Sequence, residues 1–319
     1  MFTRKLGRSD IEVSALGMGC WAIGGPFWRS GRPIGWGEVD DNQSMEALER
    51  ALAMGATFFD TSDVYGCGHS ERILGRVLAQ RRSQVVIATK FGNIFDEQTR
   101  QVTGASGEAD DIRRSCEASL RRLQTDTIDL YQFHIGNYEL DRVDDVLETL
   151  ERLVDEGKIR WYGWSTDDPE RARSFARGEH CAAIQQRLNI FEGNKETLAI
   201  CEEENLASIN RGPLAMGMLT GKFSSDSSLP ENDVRSGWDF RSGEQARRLQ
   251  KIDPLREVLT AGGRSLAQAA IGWLWARSEA TIPIPGFKSA AQVEENLGAL
   301  AFGPLDADQM AEIDAITQG

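Results

Sequence analysis

Residues 58–71 read FFDTSDVYGCGHSE, an aromatic run that ends on an acid, Asp60, and places Tyr65 five positions later in a glycine-rich bend. Aspartate is depleted in strands, and a tyrosine among glycines contributes little as core packing. Taken alone, the stretch reads as a strand end, a turn and a helix capped by Ser70. Two further apolar runs also end on ionisable residues: VVIATKFG carries Lys90 and IDLYQFH carries His134. Together these four groups are suited to proton transfer. A phenol titrates near ~10, a neighbouring ammonium stabilises its phenolate and lowers that value, and an aspartate paired to the lysine keeps the cation charged and placed. A histidine orients a carbonyl oxygen or relays a proton. The set fits protonation of a developing alkoxide. Peptide or phosphate hydrolysis lacks an activated serine or cysteine, and the sequence shows no His/carboxylate metal cluster.

The residues need a scaffold that brings strand ends together. Eight short apolar, β-branched or aromatic runs qualify as strands: 13–19, 57–60, 85–89, 127–133, 160–165, 182–185, 207–211 and 281–285. Helical stripes lie between them. Met45, Leu48 and Leu52 end at Gly55; Leu74, Val77 and Leu78 form a second stripe. Ile112, Cys116, Leu120 and Leu123 share one face, as do Val146, Leu150 and Leu153 before Gly157, and Val293, Leu297 and Leu300 near the end. Strand–helix alternation over this length predicts a closed (β/α)8 barrel, whose sites gather at the C-terminal ends of the strands. GMGCWAIGG does not spell the G-x-G-x-x-G turn of an open dinucleotide-binding sheet. No linker divides the chain, so residues 1–319 read as one barrel domain. LGRSDIEVS predicts an N-terminal hairpin at the barrel bottom, and residues 223–243 predict a long polar loop on the opposite face.

Acidic residues outnumber basic ones 49 to 36, a net charge of −13, which opposes a general nucleic-acid or anionic-membrane role but leaves room for a local basic pocket. Five cysteines without paired metal spacing read as reduced thiols, and MFTRKLGRSD lacks the apolar core of a signal peptide. These features predict a soluble, cytoplasmic protein.

With these residues in order, the sequence resembles the aldo-keto reductase family along nearly its whole length. LGRSDIEVSALGMGCWAIGG, FFDTSDVYGCGHSE, ATKFG, IDLYQFH, GKIRWYGWS, RGPLAMGMLTGKF and IPGFKSAAQVEENLGAL match family segments in the expected sequence. The resemblance implies metal-free, NAD(P)H-dependent reduction of an aldehyde or ketone. Tyr65 would be the general acid, with Asp60, Lys90 and His134 completing the catalytic set, and Trp21 would line the substrate side. Ser165 and Gln185 match positions at the nicotinamide. Arg211, Gly212, Pro213, Leu214, Gly217, Leu219, Gly221 and Lys222 match the loop that passes the pyrophosphate. Gly286, Lys288, Gln292, Glu295 and Asn296 match the adenosine end, where Lys222 and Lys288 favour NADPH over NADH. Three positions depart from the family pattern. Thr166 follows the serine where many relatives have asparagine, Arg211 replaces a stacking aromatic, and IGNYELDRV after His134 lacks the common Asp-Pro. Trp28, Phe91 and Tyr138 are further candidates for the substrate side. The sequence leaves two other functions open: a nucleotide-binding regulatory subunit of the same fold with slow turnover, and a barrel isomerase or lyase.

Overall fold

The computed structural model describes residues 2–318. Eight parallel strands form the barrel: β1 (Met18–Gly19), β2 (Phe58–Asp60), β3 (Val86–Phe91), β4 (Ile128–Phe133), β5 (Ile159–Ser165), β6 (Cys181–Asn189), β7 (Ala207–Arg211) and β8 (Thr281–Pro283). Each pairs with its sequence neighbour. The sheet closes on itself where Gly17 N donates to Pro283 O (2.9 Å), Gly19 N donates to Pro285 O (3.0 Å), and Gly19 bridges Gly286 in parallel. The expected barrel is present, with strand boundaries shifted by a few residues.

Helices α1 (Asp41–Ala53), α2 (His69–Leu78), α3 (Ala109–Leu123), α4 (Val143–Asp155), α5 (Pro169–Phe175) and α6 (Lys195–Glu203) follow β1 to β6 in turn. After β7 come α7 (Gly243–Gln250), α8 (Ile252–Leu259) and α9 (Leu266–Arg277), and after β8 α10 (Ala290–Gly298) and α11 (Ala307–Gln318). Local chemistry starts several of them. Asp40 accepts from the amides of Asn42 and Gln43 ahead of α1, and Ser265 with Gln268 closes a reciprocal capping box on α9. Their apolar stripes pack on the outside of the barrel, so α1 meets α2 on one side and α10 on the other, completing the ring. Ser70 does not cap α2. The cap position is Gly68 in a left-handed conformation, and Ser70 lies inside the helix, donating to Cys20 O and accepting from Thr61 Oγ1.

The hairpin Thr3–Lys5/Glu12–Ser14 closes the barrel bottom as expected: Leu6, Ile11 and Val13 pack into the interior against Phe58, Leu130, Ala183 and Ile209. On the opposite face stands a feature the periodicities did not announce. The loops after β1 and β3 build a second, four-stranded sheet in the order Arg32–Pro33, Trp28–Arg29, Gln101–Ala105, Asn93–Asp96. Its two outer pairings are antiparallel, and the middle one is parallel.

Gly7 turns the hairpin with φ +55°, and a Cβ there would sit 2.2 Å from Ala182 O and 2.6 Å from Ala207 N. Gly7→Ala should therefore lift the plug from the barrel and lower unfolding free energy by at least ~2 kcal/mol. Urea unfolding of the variant measures it; a loss within ~0.5 kcal/mol would contradict the close approach.

Candidate active site

Strand periodicity builds the site. Phe58, Ala88, Leu130, Ala183 and Ile209 point inward and form an apolar layer. Two residues further along each strand the same inward face carries Asp60, Lys90, Gln132, Gln185 and Arg211, because side chains alternate with a period of two. A polar layer thus sits directly on the apolar one, towards the C-terminal ends where the loops open. Gln132 belongs to this layer, and sequence reasoning passed over it. The period of two that places Leu130 inward also places Gln132 inward, and that alternation is its signal in the sequence.

Lys90 is fully buried, and its ammonium donates in three directions: to Asp60 Oδ1 (2.5 Å), Thr61 O (2.7 Å) and Tyr65 Oη (3.2 Å). The other carboxylate oxygen, Asp60 Oδ2, accepts from Gln132 Nε2 (2.9 Å) and Gln185 Nε2 (2.8 Å). Burial works against the Lys90 charge, but Asp60 and Tyr65 outweigh it and hold the ammonium above its ordinary pKa. Tyr65 goes the other way from the expectation. Burial is the larger influence and holds the phenol above its ordinary pKa, while Lys90 pulls it down by less. The phenol is therefore firmly protonated, with the cation placed to stabilise the phenolate only once the proton leaves. His134 is kept neutral: burial, then Lys90, Arg211 and Arg29, press its imidazole well below its usual range.

Backbone geometry sets the phenol in place. Gly66 follows Tyr65 at φ +61°, and a Cβ on it would fall 1.9 Å from Gly24 O, so only glycine lets the two loops touch. Trp21 stacks on Tyr65 (centroids 6.0 Å apart), and its indole donates to Ile34 O. His134 meets Tyr65 edge-on at 6.1 Å. Trp28 is half-buried on the second sheet, whereas Phe91 and Tyr138 are core residues packed on Phe133, which removes them from the substrate side.

The rim fits a nucleotide in several places. The Ser165 hydroxyl has no protein partner among the described residues, and no donor reaches Gln185 Oε1, although the Gln185 amide nitrogen is held by Asp60 and Gln132. Gly212, Gly217 and Gly221 all have positive φ, and Ala215 and Met216 precede Gly217 in the left-handed region too, a strained turn of the kind that gathers at ligand sites. Pro213, Leu214 and Leu219 are buried, and the Leu219 amide is engaged by Leu214 O, so Leu219 supports the turn rather than facing a ligand. A Cβ on Gly217 would meet Lys222 Nζ at 3.3 Å and Arg235 Nη1 at 3.4 Å. Lys288 completes a basic cluster with these two: burial, together with the charge of Arg235, depresses both lysines. Such a cluster in a chain of net charge −13 suits a phosphate.

The other residues expected at the cofactor make the following contacts. Arg211 pairs with Asp167, and the Thr166 hydroxyl donates to Gly136 O. Lys288 Nζ donates to Trp36 O (2.5 Å) and Glu38 O (3.2 Å). Gln292 Oε1 accepts from the Lys288 amide, Glu295 is exposed, and Asn296 is buried with its amide on the carbonyl of Gly286. Arg235 was not among the expected residues. It is nearly buried within the 223–243 loop, chelated by Asp233 through both carboxylate oxygens, bonded to Met216 O and stacked on Trp36 at 4.3 Å. A lone arginine in a polar stretch carries no periodic signal.

A barrel with a buried lysine–aspartate pair beneath a tyrosine, and a basic cluster at its rim, is the arrangement of a class of oxidoreductase. Similarity agrees. The model of the aldo/keto reductase family matches residues 15–318. The chain is 30% identical over 319 residues to "Uncharacterized oxidoreductase YqkF" of Bacillus subtilis (strain 168), covering 100% of this chain and 97% of that one. The glycerol dehydrogenase AKR11B4 from Gluconobacter oxydans has a TM-score of 0.85 at 31% identity, over 98% of this chain and 94% of that one. An aldo/keto reductase from Klebsiella pneumoniae in complex with NADP and acetate has a TM-score of 0.72 at 27% identity, over 99% and 95% of the two chains. The protein belongs to the aldo/keto reductase family and is an NAD(P)H-dependent oxidoreductase.

Lys90→Met would leave the buried Asp60 carboxyl with two amides and no cation, and should lower stability by about 3–5 kcal/mol. Adding Asp60→Asn to that variant should recover most of the loss. A double-mutant cycle in urea measures the coupling, and additive losses would show that the pair is not energetically joined.

Proposed function

We propose that the protein reduces an aldehyde or ketone to the alcohol with NADPH, and that Tyr65 supplies the proton. The observation that carries this reading is directional. An ammonium can only donate, so the 3.2 Å contact makes Tyr65 Oη the acceptor of a Lys90 proton. The phenolic hydrogen is then free to point into the cleft. As it leaves, Lys90 neutralises the phenolate at close range in a poorly hydrated setting, where such help is strongest. Asp60 keeps Lys90 charged and, through Gln132 and Gln185, anchored to the barrel. His134, being neutral, binds a carbonyl oxygen by hydrogen bonding without competing as an acid, and Trp21 presents a flat apolar wall beside it.

NADPH, when bound, supplies the hydride to the carbonyl carbon. Among the described residues the Ser165 hydroxyl and Gln185 Oε1 have no partner and are available to a carboxamide. The turn at Ala215, Met216 and Gly217 would pass the pyrophosphate, and Lys222, Arg235 and Lys288 supply the positive field that the 2′-phosphate requires. NADP and acetate in the complex of the Klebsiella pneumoniae aldo/keto reductase support the same assignment by family.

Tyr65→Phe removes the donor and little else; kcat should fall at least ~100-fold with NADPH affinity unchanged within ~2-fold, as read by absorbance turnover and tryptophan-fluorescence titration. Retained turnover would exclude Tyr65 as the acid. Lys288→Ala should weaken NADPH at least ~10-fold and NADH less than ~2-fold in the same titration, the signature of a lost phosphate contact. Equal losses for both nucleotides would instead assign Lys288 to bracing the Trp36–Glu38 loop.

A further inference from the structure

Ser62 and Asp63 lie between Asp60 and Tyr65 in sequence, and the proton transfer described above uses neither. Both are buried: Ser62 is 0% exposed and Asp63 1%. The Ser62 hydroxyl sits between two groups, 3.1 Å from Asp63 Oδ1 and 3.3 Å from His134 Nδ1, and also accepts from the Val64 amide. Among the described residues Asp63 has no ion-pair partner. The nearest charges facing it are Glu71 on α2 and Arg122 on α3, and these already pair with each other at 2.6 Å. Tyr131 on β4 and Cys67 in its own loop are the other titratable neighbours, both neutral over the ordinary range because burial raises them. On the far side, the charges facing His134 are Lys90, Arg211 and Arg29. Nothing among the described residues hydrogen-bonds His134 Nε2, and the half-buried ring leaves that nitrogen to the cleft.

We propose that Asp63, acting through the Ser62 hydroxyl, decides which ring nitrogen of His134 carries the proton, and so whether the cleft is offered a donor or an acceptor. The reasoning rests on hydrogen-bond bookkeeping and on the reductase reading of the cleft. With Asp63 protonated, its O–H points at Ser62 Oγ, the serine donates to Nδ1, and the ring presents Nε2–H, which suits a carbonyl oxygen. With Asp63 ionised, the serine donates to the carboxylate, Nδ1–H donates to the serine, and Nε2 presents a lone pair, which suits an alcohol O–H. Going from the first state to the second, one proton leaves Nε2 for the cleft, the serine proton moves to Nδ1, and the aspartic proton moves to the serine. The ring stays neutral in both. Burial, then Glu71, push the Asp63 carboxyl up to about 8, so the exchange falls near neutral pH. Asp63 and Ser62 are positioning residues. They act on substrate only through His134.

The test reads the tautomer directly. The chain has three histidines, so ¹⁵N-histidine labelling of the full protein gives few signals, and His134→Gln assigns the relevant one. Long-range ¹H–¹⁵N spectra taken from about pH 6 to about pH 9.5 should show His134 as the Nε2–H form at the acid end and the Nδ1–H form at the alkaline end. Asp63→Asn, which cannot titrate, should hold one tautomer throughout, and Ser62→Ala should abolish the pH dependence while leaving His69 and His180 unchanged. In turnover, carbonyl reduction by the wild type should drop by ~10-fold across this range, with a flat profile in Asp63→Asn. A wild-type tautomer that ignores pH, or a Ser62→Ala variant that switches like the wild type, overturns the proposal. The wild-type spectra decide the matter even if a variant fails to fold. Switching without any carbonyl turnover would instead count against the reductase reading and leave the relay standing.

Discussion

The structure depends on one buried ion pair. Lys90 and Asp60 sit inside a barrel whose lower layer is entirely apolar, where an unpaired ammonium would be strongly disfavoured. Geometry makes the arrangement tolerable. All three ammonium protons have acceptors, and the second carboxylate oxygen has two amide donors from two other strands. The pair is therefore tied to β2, β3, β4 and β6 at once. Because its third proton is directed at Tyr65, the same contacts that satisfy the cation also orient the phenol.

Placement of the charge explains the pKa pattern. Burial keeps the phenol protonated and the imidazole neutral, so neither ionises before a substrate is present. The ammonium therefore faces a neutral phenol, where it would stabilise a phenolate if one formed. This differs from a tyrosine acidified in advance, and it fits a site whose electrostatics are preorganised for charge that develops later. At the rim, Lys222, Arg235 and Lys288 are three cations that face one carboxylate, Asp233, in a chain that is otherwise strongly acidic.

Much of this was legible in the order of residues. Alternating apolar runs and helical stripes specified eight strands and their connections, since a period of two and a period of 3.6 are direct consequences of backbone geometry. Asp60, Lys90 and His134 stood out because ionisable groups at the ends of apolar runs are costly without a reason. Gln132 and Gln185 were harder. An amide has no charge to draw notice, and its role as a clamp on Asp60 arises only when β4 and β6 curl to the same interior. Arg235 was invisible for a related reason, because its partners Met216 and Trp36 lie far from it in sequence and meet it only in the folded chain.

By itself the sequence determined the barrel, its plugged bottom and the identity of the groups able to move a proton, because strand and helix periods and residue chemistry are local properties. Only the tertiary structure decided the sign of the Tyr65 shift, the second sheet over the cleft, the pairing of Arg211 with Asp167 and the placement of Ser62 between Asp63 and His134. Each of these depends on burial or on distances between chain segments far apart in sequence, and both quantities exist only once the sheet has closed.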